Sequence, residues 1–153
     1  MQASNVSSPV SMVATGEAFT LAASAARTAG ANGTAVGGLS WVRRLVVLLS
    51  ITASAADAGD TLDVYVDVSL DGSNWLNAIH FTQQAGNGSA AKEWAVLDPS
   101  APGTSVVAAT SDAASGAVRP SLCGPYVRAR WAIVDSGDGD QSHTFSVTAW
   151  GQG

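Results

Sequence analysis

The stretch Thr61-Leu62-Asp63-Val64-Tyr65-Val66-Asp67-Val68-Ser69-Leu70 alternates apolar and polar side chains without a break, and Asp71-Gly72-Ser73-Asn74 follows it. A period of two places Leu62, Val64, Val66, Val68 and Leu70 on one face and Asp63, Tyr65, Asp67 and Ser69 on the other. This pattern predicts a half-buried strand. The Asp/Gly-rich tetrapeptide reverses the chain, and Trp75 to Gln83 is expected to return as the antiparallel partner.

Upstream, Leu45 to Thr52 is an apolar run bounded by Arg43-Arg44 and by the small-residue and Asp/Gly cluster 53–60. Two arginines, an apolar run and small residues imitate a signal peptide, but the run lies inside the chain and falls short of the roughly 20 residues of a spanning helix. Met1 to Pro9 carries neither a positive charge nor an apolar core. A strand buried on both faces is the expected state of Leu45–Thr52. Further upstream, Glu17 to Ala26 alternates around Phe19 and Leu21, and Thr28 to Thr34 supplies turn chemistry. Residues 1–15 are polar and without period, and are expected to form an extended N-terminal arm.

Downstream, Glu93 to Leu97 is a short strand candidate, and Val106 to Thr110 could add a weak edge strand. Residues 84–120 otherwise form a loop-rich insertion of Gly, Ser, Ala and Pro. Tyr126 to Val134 and His143 to Trp150 are two further strands, and Asp135 to Ser142 between them predicts a second hairpin. Short strands, regular turn signals and no helical stripe predict an all-β chain, one antiparallel β-sandwich or jelly-roll-like domain over residues 16–153.

Composition limits what such a domain does. The chain has 153 residues, enough for one core. Only 12% are charged and the net charge is −5, with a pI near 4.6. Without a positive field, nucleic acid and anionic membranes are not expected partners. The single cysteine, Cys123, cannot close an intrachain disulfide, and is expected to be a small buried apolar residue.

Catalytic chemistry is thinly supplied. His80 and His143 are the only histidines, and no nucleophile or metal motif accompanies them, so no catalytic, cofactor or metal residue is assigned. Asp135, Asp138 and Asp140 form an oxygen-rich loop, but the spacing is not that of an EF-hand, and a solvated hairpin loop is expected. Tyr126, Arg128 and Arg130 share one strand face. Cross-strand pairing with Asp63 or Asp67 is the plain expectation, and a partner contact is the sharper one. Five tryptophans are expected mainly in the core and at contacts; exposed indoles on one face would instead suggest a carbohydrate platform.

Several strings resemble small structural proteins of tailed bacteriophages: Leu21-Ala-Ala-Ser-Ala-Ala-Arg-Thr28, Gly37-Gly-Leu39, Arg44-Leu-Val-Val-Leu-Leu49 and Leu62 to Val68. Ser69-Leu-Asp-Gly-Ser-Asn-Trp75 is similar to an S-x-D-G-x-x-W turn of such proteins. His80-Phe-Thr-Gln83, Gly124 to Trp131 and Phe145 to Gly151 continue the likeness. The resemblance implies a non-enzymatic virion protein made in the host bacterial cytoplasm, and decoration or cementing of the outer capsid surface is the expected role. Neck or tail attachment is an alternative, as is a carbohydrate-binding module. The expected partners are the major capsid protein and the chain itself, as a homotrimer, with Pro9, Val10, Met12, Tyr126, Arg128 and Arg130 as contact residues.

Overall fold

The computed structural model describes residues 11–12, 16–103 and 106–153, and those residues form no helix. The expected arm contacts Pro9 and Val10 lie outside the described residues. Among the described residues, twelve strands build two facing sheets. One sheet, sheet B, has four strands in the order β2 (Ala18–Arg27), β12 (His143–Gln152), β5 (Arg44–Ala53) and β9 (Ala91–Leu97). The other, sheet A, has the path β1 (Ser11–Met12), β4 (Val36–Gly37), β11 (Tyr126–Val134), β6 (Thr61–Ser69), β7 (Trp75–His80) and β10 (Ala117–Val118). Two short strands lie off this path, β3 (Ala31–Asn32) on β11 and β8 (Gln84–Ala85) on β6. The all-β, two-sheet expectation holds.

The core lies between the sheets because each long strand sends alternate side chains inward. Sheet A contributes Leu62, Val64, Val66, Val68, Val127 and Ala129; sheet B contributes Leu45, Val47, Leu49, Ile51, Phe145, Val147 and Ala149. A β-bulge in β7 puts Ala78 between the register pairs Val66–Ile79 and Asp67–Asn77, so Ile79 turns into the core while Asn77 turns out.

Four expectations need correction. β5 is not buried on both faces: Leu45, Val47, Leu49 and Ile51 are buried, whereas Val46, Leu48, Ser50 and Thr52 are half-buried or exposed. β6 is not half-buried: every residue from Leu62 to Ser69 is buried. β11 and β12 do not form a hairpin, since β11 pairs with β6 and β12 with β2 and β5. Residues 135–142 therefore bridge the two sheets as an arch. No strand forms at 106–110, and Val106 is fully exposed.

The exchange of roles between β5 and β6 has one cause. Residues 108–119 of the loop-rich segment fold back across the outer face of sheet A. The Ala113 N–H donates to Asn77 Oδ1 at 2.8 Å, and the Arg119 N–H donates to the Ala78 carbonyl at 2.8 Å. The Arg119 guanidinium joins the Asn77 and Ser111 carbonyls. Asp63, Tyr65 and Asp67 thus lie under the chain's own loop, while Ser69 is buried by its own turn, bonded to Asp71 and Gly72. Among the described residues no segment covers the outer face of sheet B.

Candidate functional site

The two outer sheet faces differ in kind. On sheet A, Asp67 is 2% exposed and accepts from Arg130 Nε at 2.9 Å, from Arg128 Nε at 3.4 Å and from Asn77 Nδ2 at 3.2 Å. Arg130 also reaches Asp112 at 2.6 Å. Arg130 stacks over Tyr65 and Arg128 over Trp75, which fixes both guanidiniums in cation–π contacts. Arg128 and Arg130, expected as partner contacts, are engaged by side chains of their own chain. Tyr126 is half-buried, its ring packed against Gly72 in the β6–β7 turn. Met12 takes part in the parallel pairing of β1 with β4, opposite Gly37.

His80 belongs to the same buried network. Its Nε2 lies 2.7 Å from Asp63 Oδ1 and its Nδ1 lies 2.8 Å from the Ala113 carbonyl. Both ring nitrogens therefore face acceptors, and Gln83 Nε2 takes the second Asp63 oxygen at 2.7 Å. His143 is wholly buried, and burial pulls its pKa down. Its Nδ1 accepts weakly from the Ala55 N–H at 3.4 Å.

The outer face of sheet B is open. The pairing register aligns two rows across it: Ala18, Trp150, Val46 and Val96, then Thr20, Thr148, Leu48 and Trp94. Trp94 is 77% exposed, Leu48 40% and Trp150 39%. Arg44 opposes Gln152 beyond the first row, and Lys92 opposes Ser50 beyond the second. No carboxylate stands in either row. An uncharged row with large exposed apolar side chains is the usual mark of a contact surface. The remaining tryptophans, Trp41, Trp75 and Trp131, are half-buried.

Sequence reasoning missed this face. The charge-free positions of β5 look the same whether a strand is buried twice or presents one face to a partner. The available signal lay in β12, where Thr144, Ser146, Thr148 and Trp150 are also uncharged.

The aspartates of the β11–β12 arch (residues 135–142) meet those of the β5–β6 connection (residues 54–60). One carboxylate oxygen from each of Asp57, Asp138 and Asp140 lies within 4.8 Å of the others, and the same holds for Asp60, Asp135 and Asp138. A side-chain hydrogen bond with Asp138, then burial, then the charges of Asp138 and Asp57 raise Asp140 to about 6, and a side-chain hydrogen bond with Asp138, then its charge, raise Asp57. Cys123 is half-buried, with its thiol pushed up by burial and then by the nearby Asp98 charge.

Comparison with protein-family models, with curated proteins and with solved structures finds no match to this chain.

Proposed function

We propose that this chain is a non-enzymatic structural protein of a tailed-phage virion that coats and reinforces the outer capsid surface, docking through the outer face of sheet B. The observation carrying this reading is the pair of uncharged rows holding Trp150, Val46 and Val96, and Leu48 and Trp94. Apolar area of this kind supplies association energy at about 25 cal/mol per Å² without a cofactor. The other sheet face is closed by residues 108–119, so among the described residues the outer face of sheet B is the broad face left for a partner. The phage-like strings at 21–28, 69–75 and 124–131 support this reading.

A carbohydrate-binding role is the second reading, favoured by the exposure of Trp94 and Trp150 on one face. Sugar recognition also needs orienting polar groups beside the indole, and Trp94 has Leu48 directly opposite it. The aliphatic neighbours favour a protein partner. Quantitative mass analysis of purified particles tests the capsid role: the chain should be present at a copy number comparable with the major capsid protein. About a dozen copies, as expected at a single symmetric neck or tail ring, would overturn decoration. Glycan-array binding abolished by Trp94→Ala, with no copies in particles, would establish the carbohydrate reading instead.

A further inference from the structure

Five aspartates gather where β5 leaves for β6 and β11 leaves for β12: Asp57, Asp60, Asp135, Asp138 and Asp140. Asp138 belongs to both close sets of carboxylate oxygens, so the two sets form one cluster. Acidic residues often crowd an exposed loop, and crowding alone identifies nothing. Asp60 is different. It is 0% exposed, its Oδ1 accepts the Ser136 N–H at 2.6 Å, and its Oδ2 is buried with no hydrogen-bond donor. A buried carboxylate oxygen with neither a donor nor a cation is strongly disfavoured. Gln141 Oε1, on the same arch, is likewise buried without a donor.

No basic group compensates. None of the ion pairs among the described residues involves any of the five aspartates. His143, the nearby titratable ring, is held toward its neutral form by burial. The backbone around the cluster is nonetheless tightly placed. The Asp60 N–H donates to the Asp57 carbonyl at 3.1 Å, and the Gly86 N–H donates to the Asp60 carbonyl at 2.7 Å. A Cβ at Gly86 would run into the Asp57 carbonyl, so glycine there permits the close backing of this turn. Gly137 and Gly139 have φ of 129° and 84°, which lets the arch coil its carboxylates toward Asp60.

We propose that Asp57, Asp60, Asp135, Asp138 and Asp140 bind a hard divalent cation, with calcium preferred, which clamps the β5–β6 connection of one crossing to the β11–β12 arch of the other. Hard cations take oxygen ligands, and calcium accepts six to eight of them in flexible geometry, whereas magnesium demands a small octahedron and keeps its waters. Softer metals seek thiolate or imidazole, and the cluster offers neither. The site is independent of which partner the sheet B face takes.

Calcium titration of the full-length chain, stripped with chelator and dialysed, tests the site by calorimetry and thermal melting. Calcium should bind saturably and, at about a hundred times its dissociation constant, raise Tm by about 5 to 10 °C. Magnesium should raise it less. Asp138→Asn should weaken calcium binding at least about tenfold while leaving the metal-free Tm unchanged or higher, because it removes like-charge crowding. That opposite response in the two conditions is not expected of an aspartate with a purely structural role. Asp60→Asn should lose the calcium response as well; should that variant not fold, Asp138→Asn and the parent chain decide. Absence of heat and of any Tm shift up to about 10 mM calcium, beyond the weakest affinities of extracellular calcium modules, overturns the proposal. Calcium binding of undiminished affinity in Asp138→Asn overturns it equally, since the ion would then sit elsewhere.

Discussion

The Asp71 carboxylate holds the β6–β7 turn from its centre. Its Oδ1 accepts the N–H groups of Ser73 and Asn74, both at 2.8 Å, and the Ser69 hydroxyl at 3.0 Å, while Oδ2 accepts Asn74 Nδ2 at 2.6 Å. The Asn74 N–H first, then its side chain and the Ser73 N–H, keep the carboxyl well below the usual carboxylate range. Gly72 supplies the positive φ of 78° that the turn requires. A folded-state pKa below the unfolded value means that ionised Asp71 stabilises the fold above the ordinary carboxylate pKa, and that this contribution is lost as pH falls below it. Asp71→Ala should therefore lower the urea midpoint at neutral pH, and the gap from the parent chain should narrow below about pH 4. A gap that stays constant down to pH 2 would show that the ionised carboxylate is not what holds the turn. This residue was legible in the sequence because its hydrogen bonds are local. Asp60 was not, because its burial is created by residues 76 positions away in the arch.

At the scale of elements, strand positions were readable and strand environments were not. The alternation of residues 62–70 located β6 and its turn, and Tyr126–Val134 matches β11 residue for residue. Periodicity states which side chains share a face; it is silent on what covers that face. The polar row Asp63, Tyr65, Asp67 looked solvated, yet residues 108–119 fold over it, and His80 and Gln83 take the Asp63 carboxylate while Asn77, Arg128 and Arg130 take that of Asp67. The apolar row Val46, Leu48 looked buried, yet its cover is not in this sheet pair. For the same reason an Asp/Gly-rich connection could be read as a hairpin when it is an arch: both need the same turn residues, and the choice is made by which strands compete for β11. Here β6 pairs with β11 along nine register positions. The environment makes a quantitative claim about β6. Val66 is 0% exposed, packed between the sheets, so Val66→Asp should cost about 4 kcal/mol or more and unfold the domain at ordinary temperature. Circular dichroism melting of that variant checks it, and a loss below about 1 kcal/mol would mean that Val66 does not face the core.

At the scale of the whole molecule, the chain crosses between the sheets repeatedly, so the two outer faces are built from interleaved parts of the sequence but differ in what covers them. Sheet A is sealed by the chain's own loop, with its arginines committed to Asp67 and Asp112. Sheet B holds its exposed side chains on three strands tied by long ladders, β12 to β5 and β5 to β9. Rigid strands suit a surface that must fit many equivalent sites, because little side-chain or backbone freedom is lost on docking. The separation allows the fold and the docking to be tested independently. Leu48 and Trp94 project from sheet B away from the core, so the double variant Leu48→Lys, Trp94→Lys, whose like charges face each other across the strands and cannot pair, should keep its melting temperature within about 4 °C of the parent. The same variant places charge at the centre of the uncharged rows. Burying either charge against an apolar partner costs several kcal/mol unless it is paired, which is enough to lower occupancy on a shell more than a hundredfold. Particles grown with this variant in place of the parent chain should therefore carry few copies, and they should release DNA at a lower temperature than particles coated with the parent, because a ligand that binds only the assembled shell stabilises it by mass action. Full occupancy by a folded double variant would place the docking surface elsewhere on the molecule and remove sheet B from the role proposed for it.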